Sequence, residues 1–379
     1  MCKKILLIIL LLAGTHIGLY AERQEQKVVN INLAEAIQKD AKDINLSEIA
    51  SDIDYIGLET TDDALCGNSY DIRFFEEGII MGTNRQFFHF DPHGKFLNAI
   101  GSKGEGPEEY NIGLLYFLNS PKKRLYAQDF QEVICYSFDG EFIKRIPTPN
   151  LNMGDAAIFG NGLIIYSNDT YFSNKNAPYQ LFIINEAGKQ KKAIKGHIEK
   201  GKRYGVILSS RDYIYTFDDE TYFKPALENV IYKIDSSSMK KELVYKFECG
   251  TKGIDVSSNE TELRNRNKSI SIYQIHETPM HLFILYGLEK RICLGMYDKQ
   301  KKSFSNVRIV DDLSGGIDFV PAGKCCSGYL QMVYFPSEFK KRKASNRFSL
   351  PEKRKQFEHV LQLDEEDNPV VVVVKLKGF

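Results

Sequence analysis

Beyond residue 21 the histidines of this chain are His89, His93, His197, His276, His281 and His359, the first candidates for chemistry. Three imidazoles brought together from separate strands would hold a zinc ion and leave one position for water. Glu277 and Asp318 could instead join asparagines around a harder cation, although lone carboxylates near strand ends are ordinarily solvated. Arg73 and Arg211 offer permanent cations to a ligand. The cysteines Cys66, Cys135, Cys249, Cys293, Cys325 and Cys326 show no C-x-x-C spacing, so they carry no zinc signature. In a chain of 379 residues they read as packing thiols, the neighbours Cys325 and Cys326 included. No Gly-x-Ser-x-Gly elbow is present, which leaves a Ser/His/Asp triad unsupported. Gly101, Gly104 and Gly106 lack the helix that a phosphate loop requires, because Pro107-Glu108-Glu109 follows and two carboxylates repel phosphate. No catalytic residue, metal or cofactor is expected from these residue types and spacings.

Positioning these residues is the work of a repeated unit. A large apolar residue precedes Asp, Ser or Asn, usually with Gly three places later. The copies are Phe90-Asp91-Pro92-His93-Gly94, Tyr136-Ser137-Phe138-Asp139-Gly140 and Ile184-Asn185-Glu186-Ala187-Gly188. Ile234-Asp235 has Ser238 in the glycine place, and Tyr297-Asp298 has Lys301 there. The polar position advances by 46 to 63 residues, a period of repeat arrays such as β-propellers. A short polar side chain can bond backbone two residues on, and Gly supplies positive φ, so each copy reads as a hairpin between strands.

Six strand candidates precede the hairpins: 78–84, 123–130, 162–169, 212–219, 281–288 and 328–335. Six more lie earlier still: 70–75, 114–118, 156–159, 206–209, 270–275 and 316–320. The sum is an all-β chain, a six-bladed β-propeller of four-stranded antiparallel blades. Only five hairpins exist because the last blade is shared: the apolar run Pro369 to Lys375 is expected to pair with Asp54 to Leu58 and close the ring. Loops and inner-strand ends converge at the channel mouth, which makes Arg73, Arg211, His276 and Glu277 the candidate ligand contacts. Only His276 falls beside an innermost strand, which disfavours a three-histidine zinc site.

Three motifs carry a family resemblance. They are Ser47-Glu48-Ile49-Ala50 through Asp54-Tyr55-Ile56 to Leu58-Glu59-Thr60-Thr61, the stretch Ile100 to Tyr110, and Glu366-Asp367-Asn368-Pro369 running into Lys375-Leu376-Lys377. Together they resemble the exported bacterial six-bladed β-propeller proteins, relatives of NHL-repeat proteins. The resemblance spans the chain after its first residues and implies the fold, with no catalytic residues to carry over.

The segment from about 339 to 366 breaks the strand rhythm. Ser349-Leu350-Pro351-Glu352 has capping-box spacing, and Phe357, Val360 and Leu361 share one edge, which predicts a helix over about 350–363 inserted in blade six. Lys340, Lys341, Arg342, Lys343, Arg347, Lys353, Arg354 and Lys355 cluster around it. An anionic partner is one reading; a solvated face balanced by Asp364 to Asp367 is the preferred one.

Lys3-Lys4, the apolar run Ile5 to Leu12 and Leu19-Tyr20-Ala21 read as a signal peptide over 1–21, leaving a propeller domain over 22–379. The destination is then the periplasm, outer envelope or medium, with no membrane span after cleavage. Lys plus Arg and Asp plus Glu number 50 each, so no net field favours nucleic acid. The function expected is a non-catalytic binding or scaffold module, monomeric, with an unidentified protein or glycan ligand at the channel mouth. The alternative is a metal-dependent propeller enzyme, lyase-like or lactonase-like, with its site in the channel.

Overall fold

The structure is a computed structural model and describes residues 28–66, 70–83, 86–111, 115–149, 153–167, 179–195, 213–226, 228–253, 268–345 and 347–379. The segment 1–21 therefore lies outside the described residues.

Six β-sheets stand in a ring. Blade one holds Tyr70–Phe75, Gly78–Thr83, Phe87–Phe90 and Phe96–Ile100 from the channel outward. Blade two holds Tyr116–Asn119, Arg124–Asp129, Glu132–Ser137 and Phe142–Pro147. Blade three holds Met153–Phe159, Gly162–Ser167, Tyr179–Asn185 and Gln190–Lys195. Blade four holds Ile214–Phe217, Glu220–Phe223, Val230–Ile234 and Lys241–Glu248. Blade five holds Ser271–Glu277, His281–Leu288, Arg291–Asp298 and Ser303–Val310. Blade six holds Tyr329–Tyr334, Val370–Leu376 and Ala50–Gly57.

All five repeated hairpins join the third and fourth strands of a blade. Asp91 Oδ1 accepts from the N–H groups of His93 and Lys95 at 2.8 and 2.9 Å, and Asn185 and Asp298 form equivalent bonds. Gly94, Gly140 and Gly188 have φ of 86°, 93° and 76°. A Cβ on Gly94, Gly140 or Gly188 would lie 2.3, 2.7 or 2.3 Å from a backbone oxygen of the preceding blade's outer strand (Gly57, Ala99, Pro147). The glycine thus serves both the turn and the seam between blades. In blades four and five the left-handed residue is not the expected one but the next, Met239 at φ 53° and Lys302 at φ 52°. Those turns are one residue longer, so the glycine place needs no glycine.

The ring closes as the chain ends predict. Val370 to Val374 pair antiparallel with Gly57 to Ile53, and each of these valines is at most 3% exposed. Asn368 locks the crossing: its Oδ1 accepts from Cys66 N–H at 2.8 Å and its Nδ2 donates to the carbonyls of Glu59 and Ala64 at 2.8 and 2.5 Å.

Two expected strands are reassigned. Residues 212–219 do not form the second strand of blade four; Ile214–Phe217 is its innermost strand, turned back at Asp218 and Asp219, both with positive φ. The candidate 206–209 lies outside the described residues. Residues 316–320 do not line the channel either, because Phe319 N–H bonds to Ile309 C=O of blade five and Ile317 bridges Ala344. The inner edge of blade six is the irregular segment that follows, where Ala322 N–H reaches Gln331 C=O at 2.7 Å.

An unpredicted belt runs outside the ring. Val29–Asn32 adds a parallel fifth strand to blade four, and Lys42–Asn45 adds one to blade five. Each strand ends in Ile-Asn-Leu-x-Glu, at Ile31 to Glu35 and again at Ile44 to Glu48. In each copy the Asn opens a helical turn, and the Glu three places on either donates its N–H to the Asn side chain or accepts the Asn N–H on its own. Leu33 and Leu46 are fully buried, so a thirteen-residue module steps from one blade to the next.

The insert contains the helices Pro336–Lys341 and Pro351–Val360. Phe357 packs its ring 5.3 Å from that of Tyr55, which seats the longer helix on the closing strand. Lys353 pairs with Asp52 and Asp54 at 3.0 and 2.7 Å, and Arg354 with Glu358 at 2.8 Å. Those two bases are balanced by the closing strand and the helix itself rather than by Asp364 to Asp367.

Candidate functional site

The inner strands of all six blades enclose a channel cavity of about 430 Å³. Its wall includes Arg73, Phe117, Ala157, Tyr215, His276 and Lys324, one from each blade in turn. At the end where the inner strands turn outward, the cavity opens into a wider mouth of about 840 Å³. Glu76, Glu77, Asp219 and Glu220 face this mouth, and no Lys or Arg does among the described residues.

Arg73 sits on the wall of the inner cavity, and its guanidinium is engaged. It donates to Asp71 Oδ2 from Nη2 and Nε at 2.9 and 3.2 Å and stacks 4.4 Å over the Tyr116 ring. Burial works against its charge, but Asp71, Tyr116 and the more distant Asp155 outweigh that and raise its pKa. Tyr116 is itself fixed, its hydroxyl 2.8 Å from the Asp71 carbonyl.

Glu277 contributes backbone to the wall, while its carboxylate turns into the seam between blades four and five. Tyr215 and Tyr245 hydroxyls donate to it at 2.8 and 2.5 Å, and Lys299 Nζ lies 2.8 Å away. That carboxylate is 2% exposed, so it positions Tyr215 rather than meeting a ligand. His276 lies on the wall beside it. Arg211 lies outside the described residues. Asp318 is away from the channel, 3.8 Å from Arg308 on the outer strand of blade five, and burial raises its pKa. No group of three or more His, Cys, Asp or Glu placed to hold a metal occurs among the described residues.

Sequence reasoning missed the ion pair that crosses the ring. Lys324, on the inner edge of blade six, lies 3.1 and 3.0 Å from the two carboxylate oxygens of Asp155 in the opposite blade three. Asp155 also accepts the N–H groups of Ala156, Tyr213 and Ile214, each at 2.9 Å. Neither residue stands in a motif; their separation of 169 positions leaves no local signal.

Cys325 and Cys326 line the channel, and burial followed by the neighbouring thiol holds Cys325 well above the usual thiol range. No disulfide joins the six described cysteines to one another; Cys135 and Cys249 are buried and the others half-buried. The glycine stretch 101–110 is a packed turn: Arg145 donates to the carbonyls of Pro107 and Glu109 at 2.8 and 2.6 Å. Its backbone groups are thus spent on the seam between blades one and two.

The chain belongs to the family described as "Domain of unknown function (DUF4934)", which matches residues 28–375. No curated protein matches it. Among solved structures it is similar to a candidate exported protein of Bacteroides fragilis, 19% identical, with a TM-score of 0.69 over 93% of this chain and 100% of that one. A DUF4221 member of Bacteroides vulgatus is 12% identical, with a TM-score of 0.46 over 86% and 97% of the two chains. The extracellular domain of a Bacteroides thetaiotaomicron two-component system is 14% identical, at 0.37 over 67% and 29%. At such identities the first likeness shows the fold, and the other two carry no argument. No helix among the described residues is long and apolar enough to cross a membrane.

Proposed function

We propose that the protein is an exported, non-catalytic binding module that takes a protein or glycan ligand at the mouth of its central channel. The observation that carries this reading is a formed channel cavity of about 430 Å³ whose lining cations are held in fixed pairs, Arg73 with Asp71 and Lys324 with Asp155. Pockets of this size with a few oriented polar groups are what ligand sites look like. Carboxylates already committed to hydrogen bonds favour recognition over proton transfer. Maturation near Glu22, a monomeric state, and kinship with NHL-repeat propellers belong to the same proposal. The repeated Asx hairpin supports the kinship.

Thermal shift of the mature protein tests the reading. EDTA should leave the melting temperature unchanged, and a glycan or protein ligand at about 100 times its Kd should add about 2.7 kcal/mol. Metal-dependent turnover of a lactone or uronic-acid substrate would overturn it.

A further inference from the structure

The inner edge of blade six is built unlike the rest of the channel wall. Five blades present a regular strand there, whereas residues 321–328 form a strap held by scattered backbone bonds: Ala322 N–H to Gln331 C=O at 2.7 Å, Cys326 N–H to Phe74 C=O at 3.3 Å, Tyr329 N–H to Cys326 C=O at 3.3 Å and Leu376 N–H to Gly328 C=O at 2.8 Å. Gly323 and Gly328, with φ of 75° and 84°, bracket it. From this strap Lys324 reaches through the ring to Asp155. Lys324 lines the cavity and Asp155 does not, so the lysine side chain stands between the cavity and the carboxylate. Asp155 is 6% exposed and is oriented from behind by three backbone N–H donors. A carboxylate so fixed keeps its position when the cation in front of it changes.

We propose that Asp155 is the receptor for the primary ammonium group of a small hydroxylated ligand of amino-sugar type, and that Lys324 fills it as an internal surrogate until that ligand arrives. The inference rests on the channel being a ligand site. A lysine ammonium and a ligand ammonium present the same compact charge with three donors. The approach favours that charge as well, because Glu76, Glu77 and Asp219 face the outer mouth with no cation among its described lining residues, while Glu220 there is paired with Lys233 at 2.8 Å. A cleft lined by one sign of charge concentrates the opposite sign. The cavity of about 430 Å³ accommodates a monosaccharide. Self-occupancy by Lys324 lowers the apparent affinity by the fraction of molecules in which the receptor is open.

Calorimetric titration of glucosamine and N-acetylglucosamine into the wild type, Lys324→Met and Asp155→Asn tests the assignment, since acetylation abolishes the ammonium group while keeping the sugar ring. Lys324→Met should bind glucosamine about tenfold or more tightly than the wild type. N-acetylglucosamine should show no such gain, and Asp155→Asn should lose glucosamine. Equal glucosamine affinity in wild type and a folded Lys324→Met would overturn the proposal. Should the variants not fold, NMR of the wild type carrying 15N-labelled lysine gives the answer. The Lys324 ammonium signal should move with glucosamine and not with N-acetylglucosamine, and an unchanged signal at the highest glucosamine concentration overturns the surrogate role. Binding of neutral glycans with no preference for the amine would sink this inference and leave the channel site standing. No response to any ligand by any of the three proteins would count against both.

Discussion

Blade six has a zipped outer edge and a loosely held inner one. On the outside, seven residues from Val370 to Leu376 pair with Ala50 to Gly57, in unbroken register from Val370 to Lys375 and with a bulge before Leu376, and the five valines are buried. On the inside, the strap carrying Lys324 meets its neighbours through single backbone bonds at Ala322, Cys326 and Gly328 and one charge pair, with the amide of Gln331 beside it. That amide substitutes for a strand: Oε1 accepts Phe74 N–H at 2.9 Å and Nε2 donates to the Ile72 carbonyl at 2.6 Å. The contrast teaches where the ring places its cohesion. Rigidity is concentrated at the perimeter, so the channel wall can vary without opening the ring.

Removing residues 369–379 is the harshest way to break the comparison. Each valine is worth about 1.5–3 kcal/mol when fully buried, against a typical total of about 5–15 kcal/mol. The truncated chain should be insoluble or unfolded, and a soluble product with an unchanged melting temperature would show that the zip is dispensable. Amide exchange sharpens the contrast without mutation. The N–H groups of Val371 to Val374 should exchange at least about a thousandfold more slowly than those of Cys325 to Ser327, since the latter open locally. Equal protection would make the strap as firm as the zip. Gln331→Leu lies between the two edges; leaving Phe74 N–H and Ile72 C=O buried and unbonded should cost about 2–3 kcal/mol by chemical denaturation. A loss within error would mean that blade one does not depend on blade six at its inner edge.

Smaller effects probe the perimeter turns and the seams. Lys302→Gly removes a left-handed non-glycine residue at φ 52° from an exposed turn and should stabilise by about 0.5–1 kcal/mol. Lowered stability would mean that the Lys302 side chain contributes where it stands. Burial lowers the pKa of His89 and of His281 below the ordinary value of 6.5. For a base held neutral by the fold, the contribution to stability is complete above 6.5 and is lost as pH falls below it toward the folded values. The melting temperature should therefore decline modestly from pH 7 to pH 5, and His89→Leu should flatten the decline. An identical pH profile in that variant would exclude His89 as a source.

Much of the perimeter was legible in the sequence. The hairpins at Asp91, Ser137, Asn185, Asp235 and Asp298 all fall where their pattern puts them, because turn chemistry is local. The pairing of the valine run with Ile53 to Gly57 follows from both being strands without a partner. Blade four misled because its first turn is Asp218-Asp219: with two positive-φ residues and no glycine to mark the turn, 212–219 reads as a second strand and Glu220–Phe223 is passed over. Residues 316–320 look like a strand yet pair outward with Ile309 and Ala344, a choice that only the insert imposes. The belt was missed because four-residue strands are too short to show a period, although the recurrence of Ile-Asn-Leu-x-Glu was there to be found. The channel was the least legible region. Glu277 sits at a strand end as expected, but which way its side chain turns is decided by Tyr215 and Tyr245 of another blade. Lys324 and Asp155 meet only once the circle is complete.

The belt also has a bearing on time. Val29 pairs with Tyr245 and Lys42 with Val307, so the earliest strands have partners more than two hundred residues downstream. Such distant pairing is slow to find. A chain made from its N-terminus must carry these strands without partners until blades four and five exist. Assembly of this ring is therefore back-loaded: its first segment is among the last to settle, and every molecule passes through a stage in which an open sheet edge and the strand meant for it wait apart.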